Sequence, residues 1–301
     1  MPSLASDLME YNYQFEKSNV VINARANEIF YPKHWTQLSL KCAFGGAEHY
    51  QCSNGRYAVD ADRFLILNKD TTYSSWISSP SEVESLTVNF TSAFQSKSAA
   101  AIFETDGYLL DHLEVKPDTT IRFVEKLYSY DSYILNLLHS IKLAAADASM
   151  NELRLQNLFF ELYVYLVSTQ SGLVNEMQET KKRKDATRKE LYQRLVRARD
   201  FMYSCYPQHL SLSDIADVAC LNPYYFLREF KRAFSITPHQ YLTERRMLVA
   251  KRLLKESNTS ISEICLAVGY EDLTSFSKLF KKVTGRSPMN FRELNGKLCN
   301  D

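Results

Sequence analysis

The sequence is poor in the residues that interrupt or cross-link a chain. Its 301 residues include only 8 glycines, 8 prolines and 6 cysteines, which excludes collagen-like, low-complexity and cysteine-framework architectures. The cysteines are Cys42, Cys52, Cys205, Cys220, Cys265 and Cys299. They form no CxxC pair and no zinc spacing, and are expected as reduced, mostly buried thiols. The most apolar run, LFFELYVYLV, is ten residues long and contains Glu161, too short and too polar to span a bilayer. The start, MPSLASDLMEYNYQFEK, lacks the basic and apolar segments of a secretory signal, so a cytoplasmic location is expected. There is no Gly-rich phosphate loop, no GxSxG elbow, no HExxH and no HxH pair. An enzyme is therefore not expected, nor is a cofactor or a metal.

What is present is a charge asymmetry hidden under a net charge of +1. Residues 181–301 hold 23 Lys and Arg against 13 Asp and Glu, and residues 1–180 hold 13 against 22. A net of +10 in one half and −9 in the other points to a nucleic-acid-binding half and a partner half that avoids nucleic acid. Two domains that attract each other would give the same balance.

The halves also differ in pattern. Residues 18–90 read as short strands, NVVINA, LSLKCAF, RFLILN, TYSSWI and ESLTVNF, rich in β-branched and aromatic residues. GGAEHYQCSNG and LNKDTTYS read as turns between them, so a small antiparallel barrel or sandwich is expected. From residue 121 the period changes. Val124, Leu127, Ile134, Leu137, Leu138 and Ile141, then Leu155, Leu158, Phe159, Leu162 and Leu166, recur at helical spacing. They predict an antiparallel helix pair over 121–144 and 150–170, closing a first domain at 178. The charged stretch ETKKRKDATRK, 179–189, has no apolar period and reads as a linker. Residues 190–301 then form an all-α domain. Ser211-Leu-Ser-Asp214 and Ser260-Ile-Ser-Glu263 are capping boxes. Asn222-Pro223, Thr237-Pro238 and Ser287-Pro288 each place a capping residue before a proline at the first helical position. Seven helices follow, near 189–204, 211–219, 223–234, 238–256, 260–268, 273–284 and 288–295.

These helices contain a two-copy repeat. Ile215 matches Ile264, Phe226 matches Phe276, Phe230 matches Phe280, Pro238 matches Pro288 and Tyr241 matches Phe291. The offset slips from 49 to 50 in a turn, where an insertion costs least. Each copy is a short helix, a turn and a second helix, the units spanning about 211–234 and 260–284. The phenylalanine pair lies four apart on one face of each second helix. The other face carries Tyr224, Leu227, Arg228 and Lys231 in the first copy, and Thr274, Ser277, Lys278 and Lys281 in the second. Such a face suits the major groove of DNA. One copy alone is equally consistent with a solvated basic face; two copies in the basic half favour DNA. The connecting helix, 238–256, would be about 28 Å long at 1.5 Å per residue, enough to set two reading helices in successive major grooves.

The stretches LSLSDIADVACLNPYYFLREFKRAFSITPHQYL and TSISEICLAVGYEDLTSFSKLFKKVTGRSPMNFR resemble the DNA-binding region of the AraC/XylS family of bacterial transcriptional regulators. The resemblance implies two helix-turn-helix units joined by a long helix. It implies base-facing positions at Tyr224, Leu227, Arg228, Thr274, Ser277 and Lys278, with Lys231, Lys281 and Lys282 toward phosphate. Leu227 stands where members often carry a polar residue; it can pack on a thymine methyl but cannot hydrogen-bond a base. Lys278 stands where Arg is commoner, and Ser235-Ile236 replaces a glycine-containing turn. RFLILNKDTTYSSWISSPSEVESLTVNF is similar to the central strands of the family's cupin-like sensor barrel. The resemblance thus implies an α+β chain: a cupin-like β-barrel with a helix pair, then the all-α DNA-binding domain. Its implied partners are double-stranded DNA, a small-molecule effector, a second copy of the chain and RNA polymerase, with no membrane.

The rival reading is a metal-dependent cupin-type enzyme fused to a DNA-binding module. His34, His49, His112 and His139 are scattered, and His49 with Cys52 is the one candidate metal pair, two ligands where three or four are needed. A DNA-repair protein would need a reactive cysteine in a zinc-like cluster, and Cys42 and Cys52 are isolated. Tyr50, Tyr57, Tyr73 and Trp76 are candidates to line an apolar pocket, or are simply sheet residues.

Overall fold

In ESLTVNF, Ser85, Thr87 and Asn89 alternate with Leu86, Val88 and Phe90. A strand sends alternate side chains to opposite faces, and here the two faces meet different surroundings. The structure is a computed structural model that describes residues 17–103, 121–146, 152–178 and 184–296. The chain divides into two compact units, Met1–Glu190 and Leu191–Asp301.

The first unit is built on one antiparallel sheet. Its strands are β1 (Val20–Trp35), β2 (Leu38–Phe44), β3 (Glu48–Cys52), β4 (Gly55–Val59), β5 (Arg63–Leu67), β6 (Thr72–Phe90) and β7 (Leu127–Ser129). The order is β4-β3-β6-β2-β5-β7, with β1 also on β6. The 19-residue β6 organises the sheet. One edge pairs with β1 throughout; the other pairs with β3 over residues 73–77 and with β2 over residues 84–90. An Asp60–Arg63 bridge ties the end of β4 to the start of β5, leaving the sheet nearly closed and barrel-like. Helices α1 (Ser92–Phe103), α2 (Ser132–Ala146) and α3 (Glu152–Gln178) follow.

The apolar core of this unit lies outside the curved sheet. Leu38, Leu40 and Cys42 of β2 and Leu86, Val88 and Phe90 of β6 pack on Ile134, Leu138 and Ile141 of α2 and on Phe159, Leu162 and Tyr163 of α3. The alternate residues, Ser39, Lys41, Thr87 and Asn89, are equally buried, but on the inner face. The interior of the sheet is thus unusually polar.

The sequence pattern divides this unit less accurately than the structure does. TYSSWI and ESLTVNF are one continuous strand, β6, whose register against β1 jumps from Ala26–Val83 to Glu28–Ser78. Pro80 falls in that irregularity, where its missing N–H breaks no ladder bond. GGAEHYQCSNG, read as a turn, contains β3. The first helix of the pair starts at Ser132, not 121. Leu127–Ser129 pairs with β5 instead, and Asp131 caps the helix by accepting the Ile134 N–H at 2.9 Å. The apolar spacing of Val124 and Leu127 imitated a helix before its true start. Helix α1, capped by Thr91 accepting the Phe94 N–H at 3.1 Å, was not anticipated. The residues at 147–151, the linker residues 179–183, His112 and Cys299 lie outside the described residues.

The second unit holds α4 (Lys184–Ser204), which crosses the unit boundary, then α5 (Leu212–Val218), α6 (Pro223–Phe234), α7 (Pro238–Glu256), α8 (Ile261–Ala267), α9 (Leu273–Thr284) and α10 (Pro288–Gly296). Residues 184–189, read as linker, are helical: Lys184, Ala186, Arg188 and Lys189 are strong helix formers, though they carry no apolar stripe. No helix among the described residues is long and apolar enough to cross a membrane.

Candidate nucleic-acid interface

Each α5–α6 and α8–α9 unit is fixed by the same local devices. Ser211 accepts the Asp214 N–H while Asp214 accepts the Ser211 N–H; Ser260 and Glu263 repeat the arrangement. These carboxyls are held below their ordinary range by the hydrogen bonds from Ser211 and Ser260. The short helices then end in a six-to-one closure, Leu221 N–H to Ala216 C=O at 3.0 Å and Tyr270 N–H to Cys265 C=O at 3.0 Å. That closure requires a left-handed residue, supplied by Cys220 at φ 52° and Gly269 at φ 83°. Only the second position is forced to be glycine. A Cβ on Gly269 would lie 2.5 Å from the Pro207 carbonyl oxygen.

The second helices start at Asn222, whose side chain accepts the Tyr224 N–H, and at Asp272, which accepts from Thr274 and Ser275. They end at left-handed Ser235 (φ 62°) and Gly285 (φ 79°). The glycine that the first copy lacks is therefore replaced by a serine in the same strained conformation. Phe226 and Phe230 are fully buried with Ile215, Ala216, Ala219 and Leu242; Phe276 and Phe280 are fully buried with Ile264, Val268, Met247 and Ala250. Each unit thus has its own core, and α7 contributes to both. Arg246 fastens α7 to the loop before α5, with Nε donating to the Tyr206 carbonyl and Nη2 to the Gln208 carbonyl, each at 2.8 Å.

With the phenylalanines inward, the opposite face of each second helix is presented to solvent. Tyr224 is 83% exposed; Arg228, Lys231, Thr274, Lys278, Lys281 and Lys282 are exposed, and Leu227 and Ser277 half-buried. Arg228 is oriented by its neighbours. Its Nε donates to Glu229 Oε1 at 3.0 Å and its guanidinium lies 5.0 Å from the Tyr225 ring centroid. That leaves the two Nη groups to make the paired hydrogen bonds that guanine O6 and N7 accept. An exposed ion pair of this kind contributes little stability; its effect is to hold the fork.

In the first unit the sequence-derived candidates separate. His49 and Cys52 lie three apart on β3 and so face opposite sides of the sheet; they cannot ligate one metal. His49 stacks outward on Trp76, with centroids 5.4 Å apart. Burial pushes the Cys42 and Cys52 thiols up to about 12, far from the thiolate a reactive cysteine needs. Of the four aromatics, Tyr50 and Tyr73 line an interior cavity of about 120 Å³, while Tyr57 and Trp76 do not.

The sequence reading missed the charged groups in that cavity. Lys41 is 5% exposed and Glu48 4% exposed. Lys41 Nζ donates to Tyr73 Oη at 2.8 Å, and burial lowers its pKa to about 8. Glu48 Oε2 accepts from Ser85 Oγ at 2.6 Å. The signal was in LSLKCAF: a lysine on the polar alternation of a strand otherwise fit for burial.

A family profile described as a helix-turn-helix domain matches residues 215–294. The melibiose operon regulatory protein of Escherichia coli (strain K12) is 30% identical over 123 residues, 41% of this chain and 40% of that protein. The bifunctional transcriptional activator/DNA repair enzyme AdaA of Bacillus subtilis (strain 168) is 34% identical over 90 residues, 30% of this chain and 43% of that protein. The chain thus spans about two fifths of the length of these curated relatives. Among solved structures, the C-terminal domain of AraT, a response regulator from Geobacillus stearothermophilus, is 33% identical, with 34% of this chain and 84% of that one covered at a TM-score of 0.33.

Proposed function

From the helix-turn-helix match over residues 215–294 and the likeness to curated regulators, we propose that the chain is an AraC-type, sequence-specific transcriptional regulator that reads DNA with both units. The observation that carries this is the duplicated helix pair with two separate cores and two outward polar faces. In this reading α6 and α9 lie in successive major grooves. Tyr224, Leu227, Arg228, Thr274, Ser277 and Lys278 face the bases; Lys231, Lys281 and Lys282 hold phosphates. Phosphate contacts fix position, and Arg228 and Lys278 carry most of the base discrimination. The N-terminal unit acts as a cupin-like sensor whose effector occupies the interior cavity. Helices α2 and α3 pair two copies of the chain, and RNA polymerase is the downstream partner.

The reading is tested by selecting binding sites from random DNA with the full-length protein. It predicts an enriched motif with two conserved segments about one helical turn apart. Its affinity should fall steeply with salt, by one counterion per phosphate contact. Recovery of no motif would remove the proposal.

A further inference from the structure

We propose that the interior cavity of the N-terminal sheet takes a small carboxylic acid, its carboxylate on Lys41 and a hydroxyl at its far end donating to Glu48. This rests on the reading of that unit as an effector sensor, and gives the effector a chemical class.

The inner face of the sheet is the polar one. Ser39, Lys41, Ser85, Thr87 and Asn89 are buried without belonging to the apolar core, which lies on the other face with the helices. A barrel interior that only needed filling would carry aliphatic side chains. This one instead encloses a cation and an anion. The Lys41 ammonium has three N–H donors and makes one hydrogen bond, to the neutral Tyr73 hydroxyl. Among the described residues no carboxylate comes within the 4.0 Å of an ion pair with it; Glu48 attracts it only from farther away, and the Tyr73 ring centroid lies 4.9 Å off. A buried charge so under-partnered is costly, and a ligand carboxylate supplies what is missing. A neutral ligand would leave the ammonium unmatched. A phosphate dianion would bring twice the charge to one lysine and face the Glu48 carboxylate.

Size narrows the class. The cavity, about 120 Å³, is comparable with the roughly 150 Å³ that accepts a benzene ring, so the ligand has a ring or a short chain. Tyr31, Trp35, Tyr50 and Ile77 supply apolar walls.

The groups facing Lys41 allow the charge to be read by pH. On β3 the Cys52 thiol is pushed up to about 12 and Tyr50 is held well above its ordinary range, while the Cys42 thiol next to Lys41 on β2 turns to the outer core. His34 on β1 is lowered by burial, and its Nδ1 meets the Pro32 carbonyl at 2.7 Å. Arg25 and Tyr31 on β1, the tyrosine raised by burial, Glu48 on β3 and Tyr73 on β6 complete the surroundings. Between pH 7 and 9.5 Lys41 is therefore the group whose proton is lost, with a free-state value of about 8.

The test uses the full-length protein and calorimetric titration with 4-hydroxybenzoate, benzoate and 3-hydroxybutyrate, each beside its amide. The expected result is that at least one hydroxy acid binds about 10- to 100-fold more tightly than its amide, the effect of one charged hydrogen bond. Its affinity should fall about tenfold per pH unit above pH 8. Lys41→Met should abolish the preference for acid over amide. The pH profile of the unmodified protein serves as a second readout that does not depend on the variant folding. Failure of every acid to bind, equal binding of acids and amides, or a flat profile to pH 9.5 would overturn the proposal. DNA binding measured on the same preparation keeps that failure separate from failure of the regulatory reading.

Discussion

Arg228 shows how much a single exposed residue can be prepared by its surroundings. Glu229 occupies its Nε and the Tyr225 ring centroid lies 5.0 Å from its guanidinium, which leaves the two Nη groups for a base edge. Arg228→Ala should lower affinity for the selected site by about 1–3 kcal/mol and relax preference at one base pair, as read in competition binding. Lys231→Ala should instead weaken all sequences alike and reduce the log–log salt slope by about one. Two backbone positions make opposite predictions for stability. Ser235 holds φ 62° without glycine's freedom, so Ser235→Gly should stabilise by about 0.5–1 kcal/mol. Gly269 is left-handed and nearly touches Pro207, so Gly269→Ala should destabilise by about 2 kcal/mol or more. Urea unfolding of the two variants decides both. A Ser235→Gly variant less stable than the parent would mean that the serine side chain does something there that the backbone argument omits.

At the scale of elements, the helices of the second unit were readable because their ends are written in short-range chemistry. Ser211, Asn222, Thr237 and Ser260 all cap as their sequence context indicates. Thr237→Ala should therefore cost about 1 kcal/mol, measured by thermal unfolding. The capping carboxyls Asp214, Glu263 and Asp272 are held low by hydrogen bonds from Ser211, Ser260 and Ser275. Stability from such depressed groups is complete above the unfolded value near pH 4 and is lost as pH falls through the lower folded values. The first unit was less readable because its elements depend on distant partners. β6 runs unbroken through Pro80 because β1 pairs with it on both sides of the irregularity. Leu127–Ser129 is a strand only because β5 offers an edge. β3 hides between two glycine-containing turns, and α1 has too weak an apolar period to stand out.

For the whole molecule, the charge division between the halves was visible by counting, and it suits the DNA-reading role proposed for the basic half. The outward positions of α6 and α9 could be named in advance because the phenylalanine pairs fix the inward face. The interior cavity could not, because whether a strand's polar face meets solvent or a closed interior depends on how the sheet curls. Lys41 and Glu48 were passed over for that reason. The central claim is that both copies of the repeat contact DNA in one complex. Methylation interference at guanine N7 on a selected site tests it most directly. The account predicts two clusters of interfering guanines about 10 base pairs apart. Arg228→Ala should remove signal from one cluster and Lys278→Ala from the other. A single cluster, weakened by one of these variants and unaffected by the other, would contradict it.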